Sequence, residues 1–327
     1  MNIMIRSEKI RDYQFIAEIN ELAFSSMIED IDVSTFIPEK IMAAVLRHGE
    51  FFDPELSLVA ELDGRIVGHA VYYPFQVLVG GDELKAVSLG PISVHPDFQN
   101  RGIGLKLMEE GHLRAKSKGY VFAFLLGHLT YYPRAGYRTE MLGKCKIKIP
   151  VSSIPVKDQR IEIRLTKSEH IKSLTVMWYD WFKDVDLAAF PGNSLLDWVS
   201  HNEGIVNYSV FHGEKIIGYL RYDKLNPANV RLFLAKDKQA AFQLLIFLHS
   251  RINKDTEQFI YLPLHPESEA VRKYISLPFE PVVKTMKAGM IKILDTDNQS
   301  ISAYCTEVSA GTRKPGLLIW PPFFEEV

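Results

Sequence analysis

The chain has 327 residues, 47% of them hydrophobic and 24% charged, which is the balance of an ordinary globular protein. A formal charge of −2 and a pI near 6.6 supply no basic face, so neither nucleic acid nor an acidic membrane is expected as a partner. The opening Met1-Asn2-Ile3-Met4-Ile5-Arg6-Ser7-Glu8 does not read as a signal peptide, and no apolar run approaches the roughly 18 residues that span a bilayer.

Cys145 and Cys305 stand far apart, and the histidines lack paired-ligand spacing. The expectation is therefore a reducing, cytoplasmic setting with no disulfide framework and no metal. Ile3 to Arg6 reads as an edge strand, and Arg11 to Phe24 as a helix with an apolar face of Phe15, Ile19 and Leu22. Ser57 to Leu62, the turn Asp63-Gly64 and Arg65 to Tyr73 predict a hairpin, because Asp-Gly between β-rich runs is a strong turn signal. Val77 to Val79, Gly80-Gly81 and Lys85 to Val94 predict another strand pair.

The stretch Leu89 to Gly104 is the most informative part of the chain. It reads as a strand ending at a proline, a polar turn, and a helix that opens on Gly102 and Gly104. The first amides of a helix have no internal acceptor, and the helix dipole favours negative charge there. Glycines keep side chains away from a closely approaching ligand, and Arg101 adds a cation. A phosphate-bearing ligand suits such a place. Leu105-Lys106 after Gly104 fails the P-loop pattern, and Leu107 fails the third glycine of the dinucleotide fingerprint. What remains is Q/R-x-x-G-x-G/A, met by Gln99, Gly102 and Gly104, or an ordinary strand–helix turn.

The following helix carries Gly104, Leu107, Met108, Gly111 and Ala115 on one face and ends at Lys118-Gly119. Gly111 predicts close packing of helix on sheet. Tyr120 to Leu126 reads as a buried strand, and Tyr132, Arg134, Gly136 and Tyr137 form a Tyr-x-Arg-x-Gly-aromatic segment behind it.

These two motifs, in this order, resemble the GNAT family of acetyl-coenzyme A dependent N-acetyltransferases, most strongly over residues 85–140. The resemblance implies an α/β (α+β) fold with a mixed, mostly antiparallel sheet flanked by helices. In that fold two parallel strands splay apart around the pantetheine arm. It implies that the main chain of Ile92, Ser93 and Val94 pairs with pantetheine. It also implies that Gln99, Asn100, Arg101, Gly102, Ile103 and Gly104 hold the pyrophosphate of acetyl-CoA, the co-substrate. Tyr132 takes the place of the tyrosine that protonates the departing thiolate, unless it is a packing aromatic. The sequence departs from the family at the base: Gly90 stands where many relatives carry a glutamate. His69, His95 and His128 are the nearest alternatives, each of them expected to be structural rather than catalytic.

Beyond Pro150 the element order repeats. Ile161 to Leu165 answers the first strand, and Ile171 to Phe182 the first helix. Tyr208 to Phe211 and Lys215 to Tyr222 answer the hairpin, with Gly218 opposite Gly68. The helix face Ala241, Leu244, Leu245, Leu248 and Ile252 matches the earlier one in register, and Phe259, Tyr261 and His265 continue it. In that register Gln99 to Gly104 become Lys236 to Ala241 without glycine, Asp237 is positioned to cap its own helix, and Tyr132 becomes Glu269.

The expected organisation is a coenzyme-binding GNAT domain over residues 1–150, a linker over 151–160, a degenerate GNAT-like domain over 161–295, and an apolar tail over 296–327 that docks on the body. Trp178, Trp181 and Trp198 either line a cleft or pack a core. Some tandem relatives use their terminal carboxylate as the base, which would answer the missing glutamate. The function implied is transfer of an acetyl group to a primary amine of a small molecule or peptide, by direct attack. The alternative is a non-catalytic coenzyme A or acyl-CoA module acting as sensor or partner. A homo-oligomer is left open.

Overall fold

The computed structural model describes residues 3–25, 38–156, 161–253 and 255–322, and the counts below refer to these. The amino-terminal half builds β1 (Ile3–Ser7), α1 (Tyr13–Ser25), α2 (Pro38–Leu46), β2 (Ser57–Leu62), β3 (Arg65–Val79) and β4 (Asp82–Val94). It continues through α3 (Ile103–Ser117), β5 (Phe122–Leu126) and β6 (Leu142–Pro150). The second half follows with β7 (Glu162–Leu165), α4 (Ile171–Phe182), β8 (Ile205–His212), β9 (Lys215–Asp223), β10 (Val230–Ala235) and α5 (Lys238–Arg251). Its last elements are β11 (Phe259–Leu262), α6 (Glu269–Tyr274), β12 (Glu280–Met286), β13 (Gly289–Ile293) and α7 (Gln299–Ser309).

The hairpins form where turn chemistry places them. Asp63-Gly64 closes β2 on β3 through the pair Leu62↔Arg65, and Gly80-Gly81 closes β3 on β4 through Val79↔Asp82. Val77 to Val79 is not a strand of its own but the end of the long β3. The α1 face differs from expectation. Ile16, Ile19, Asn20 and Ala23 are buried, whereas Phe15 is 50% and Leu22 44% exposed. A stripe starting at Ile16 keeps the same 3.6-residue period but brings a polar residue, Asn20, inward.

The two hairpins share a pairing register. In the first hairpin Ala60↔Gly68 is followed, across a bulge, by Glu61↔Ile66; in the second, Val210↔Gly218 is followed by Phe211↔Ile216. A side chain at Gly68 would press on Leu107 of α3 at 3.2 Å, and one at Gly218 on Leu244 of α5 at 2.8 Å. Each helix therefore lies on its sheet at the same missing Cβ.

The halves also exchange strands. The first sheet runs β1-β2-β3-β4-β5-β13, so its last strand comes from late in the chain. Correspondingly β11 pairs with β6, and β12 closes the far side of β6. A second sheet runs β10-β9-β8-β7. Trp178, Trp181 and Trp198 are at most 1% exposed and fill the core of the second half. Cys145 and Cys305 are buried free thiols. No helix among the described residues is long and apolar enough to cross a membrane.

Candidate active site

β4 and β5 are parallel and paired only over Ala86↔Phe122, Val87↔Ala123 and Ser88↔Phe124. Beyond Ser88 they part. β4 keeps β3 on one edge, with Ile92↔Ala70, His69↔Ser93 and Gly68↔Val94, and its other edge opens into a cavity of about 550 Å³. An open strand edge with unpaired amides is a place where an extended chain adds as a strand.

The loop after β4 delivers the helix end to the same cavity. Asn100 (φ 60°) and Gly102 (φ 76°) are both left-handed, which Gly102 adopts without steric cost. Gly102 caps α3 with no side-chain hydrogen bond, and the first helical bond is Lys106 N–H to Gly102 O at 3.1 Å. The amides of Ile103, Gly104 and Leu105 thus precede any internal acceptor. Gly104 has a second use: a Cβ there would lie 2.0 Å from the Tyr131 hydroxyl, so the missing side chain lets Tyr131 close over the helix end.

Ile92, Ser93, Val94, Gln99, Asn100, Gly102, Ile103 and Gly104 all line this cavity. Arg101 does not; its guanidinium donates to Asp97 O at 2.9 Å and lies over Phe98. Arg134 is instead the cationic side chain among the described residues that line the cavity, and His128 lines it too. Gln99 also braces the strand, donating from Nε2 to Val94 O at 3.1 Å.

Tyr132 begins a short 3-10 turn, Tyr132–Ala135, ended by left-handed Gly136. Its ring fits because residue 127 is glycine; a Cβ there would come within 2.1 Å of it. The turn is held from both sides. Buried Tyr137 shares a 2.9 Å hydrogen bond with His112 of α3, and Lys292 of the exchanged β13 donates from Nζ to Ala135 O at 2.5 Å. Burial, and next to it the neighbouring Tyr131, push the Tyr132 phenol up to about 12, so it holds its proton at neutral pH.

A smaller cavity, about 230 Å³, adjoins the larger one and shares Phe24, Ile92 and Tyr132 with it. Gly90 and Pro91 form part of its wall at a bulge in β4, where Leu89↔Tyr72 gives way to Ile92↔Ala70. Two other wall residues, Glu39 and Trp320, are not among the expected site residues, although Trp320 lies in the tail expected to dock on the body. Glu39 lies in the first turn of α2, a helix the sequence reading omits; Pro38 at its first position was the available signal. Trp320 comes from the tail. Its ring packs 5.8 Å from Phe124 and 6.2 Å from Phe75, and its carbonyl accepts from the buried Arg221 of β9 at 3.0 Å. Phe323 to Val327, whose terminal carboxylate is a candidate base, lie outside the described residues.

The histidines separate clearly. His69 is fully buried, bonds Ser57 Oγ at 3.2 Å and lies 3.5 Å from Glu8; burial holds its imidazole below the usual range despite that carboxylate. His95 accepts from the Asp97 amide and contacts Arg65, which makes it a loop brace. Only His128 of the three lines the larger cavity.

In the second half, the matching helix end is closed. The Asp237 carboxylate accepts from the Ala240 amide at 2.8 Å, and α5 follows β10 after only Lys236 and Asp237. Glu269 opens α6 and pairs with Lys183 at 3.3 Å.

A splayed parallel strand pair, a helix start without a side-chain cap and the half-buried Tyr132 meet in one cleft. The family model for the acetyltransferase (GNAT) domain matches residues 5–139. The uncharacterized N-acetyltransferase YjhQ of Escherichia coli K12 is 31% identical over 127 residues, covering 38% of this chain and 70% of that protein. A GCN5-related N-acetyltransferase from Kribbella flavida shares the fold over 90% of this chain and 71% of its own, with a TM-score of 0.67 and 14% identity. A GNAT acetyltransferase from Brucella melitensis, solved with acetyl-CoA, is 36% identical, covering 42% of this chain and 83% of that one, with a TM-score of 0.36. The chain belongs to the GNAT family of acetyltransferases.

Proposed function

We propose that this protein transfers an acetyl group from acetyl-CoA to a primary amine, and that only its amino-terminal half binds the coenzyme. The carrying observation is the uncapped start of α3, whose free amides open on the same cavity as Tyr132. The diphosphate rests on the amides of Ile103 to Leu105, and pantetheine runs along the open edge of Ile92 to Val94. The amine nitrogen enters from the smaller cavity and attacks the thioester carbon. The carbon–sulfur bond breaks, and the Tyr132 phenol gives its proton to the leaving thiolate. The bound ammonium first gives one proton to solvent so that its lone pair can attack, the nitrogen sheds a second proton to water as the amide forms, and solvent restores the phenol. Main-chain amides of β4 polarise the carbonyl, and holding both substrates across the splay supplies much of the acceleration.

A coenzyme sensor is the second reading, favoured by the missing carboxylate at Gly90. Glu39 in the smaller cavity weakens it, because it returns a carboxylate to the acceptor side. The domain limits at 150 and 295 belong to the same proposal, with the second half serving as scaffold. Thiol release from acetyl-CoA with a panel of primary amines tests the reading. Amine-dependent release is expected; tight coenzyme binding without release for any amine would favour the sensor.

A further inference from the structure

We infer that the acceptor is a primary amine carried on an uncharged apolar stem, and that Glu39 binds its ammonium in the smaller cavity. This rests on the transferase reading above and names the substrate class for that site.

Glu39 is the only carboxyl-bearing residue, and no Lys, Arg or His stands beside it, among the described residues lining this cavity. Around it stand Phe24, Met42, Leu89, Pro91, Tyr132 and Trp320, which offer apolar and aromatic surface. A single carboxylate in such surroundings suits one cation. Among the described residues, a second ammonium that entered the cavity would be desolvated without a partner, and a ligand carboxylate beside the amine would face Glu39 with no cation to receive it. The aromatic rings accept an alkyl or aryl stem and also favour a nearby ammonium. The volume, 230 Å³, lies under the usual range for drug-sized ligands, so the stem is short or only its end enters.

The placement of Glu39 is tied to the coenzyme strand. Asn20 of α1 is fully buried; its Nδ2 donates to Glu39 O at 3.0 Å, and its Oδ1 accepts from Ser93 Oγ at 2.5 Å. Ser93 sits in the strand that borders the larger cavity. One amide side chain thus fixes the start of α2 against β4, so that Glu39 and the thioester path keep one distance. This explains why α1 turns a polar residue inward.

Two sources share this chemistry: a free alkyl- or arylalkylamine, and a lysyl side chain. The test measures thiol release with 2-phenylethylamine, n-hexylamine, a blocked lysine tripeptide, spermidine and L-leucine. It is paired with calorimetry of 2-phenylethylamine titrated into protein saturated with coenzyme A. The apolar monoamines or the lysine peptide are expected to exceed spermidine and leucine by roughly tenfold in kcat/KM. Glu39→Gln is expected to raise the amine Kd and KM about tenfold while leaving coenzyme affinity within about twofold. Spermidine or leucine as the preferred acceptor would overturn the inference, and so would amine binding indifferent to Glu39→Gln. Should that variant fold poorly, the wild-type preference order alone decides. Glu39-dependent amine binding without any thiol release would uphold this inference while refuting the transferase reading.

Discussion

α3 and α5 follow hairpins of matching register, and they begin differently. Both helices rest on a hairpin glycine, Gly68 or Gly218, through an equivalent leucine. α3 is entered from a loop with two left-handed residues and has no side-chain cap. α5 is entered two residues after β10 and is capped by Asp237. A capping carboxylate and a bound diphosphate satisfy the same orphan amides, so a helix end has one or the other. α5 carries the side chain, which stabilises its helix, and α3 leaves its first amides without one.

Transplanting the second solution into the first should have the largest effect. Gly102→Asp places a carboxylate near the diphosphate, and Asp tolerates the left-handed backbone better than most residues. At about 4 Å and an effective dielectric near 20, like charges repel by about 4 kcal/mol, so coenzyme affinity should fall by about 1,000-fold. Calorimetry checks this; retained binding would break the comparison. Tyr132→Phe should leave coenzyme affinity nearly unchanged and lower kcat by about 100-fold, read by single-turnover thiol release.

Gly104→Ala should weaken coenzyme binding by about tenfold, because the new methyl displaces Tyr131. Adding Tyr131→Phe removes the clashing hydroxyl and should restore most of the loss; no rescue would mean that Gly104 meets the ligand instead.

A pH effect comes next. Burial holds the His112 imidazole down at about 3, far below its ordinary 6.5. Below 6.5 the unfolded chain takes up a proton that the folded one refuses, so stability should fall as pH drops from 6.5 toward 3. Urea midpoints of wild type and His112→Asn measure it, and the variant should show the shallower acid slope. The smallest effect belongs to the second half. Asp237→Ala should cost about 1 kcal/mol of stability from the lost cap and give no second coenzyme site.

Local signals made much of this legible from sequence. The turns Asp63-Gly64 and Gly80-Gly81, the loop Gln99 to Gly104 and the segment around Tyr132 each carry their chemistry within a few residues. The capped second copy was also readable, because Asp237 falls directly before an apolar helical run. What sequence did not show depends on distant contacts. The exchange of β6 and β13 joins strands far apart in the chain, and nothing local marks either for the other sheet. Glu39 and Trp320 meet at one cavity only after α2 and the tail have packed. The inward face of α1 was missed because Asn20 is polar; it is buried for its two hydrogen bonds, not for hydrophobicity.

The most direct test is native-state amide hydrogen exchange with and without acetyl-CoA. Coenzyme should slow exchange at Ile103, Gly104 and Leu105 and leave the start of α5 unchanged. Protection at Lys238 to Ala241, or coenzyme binding with no protection at the start of α3, would contradict the account.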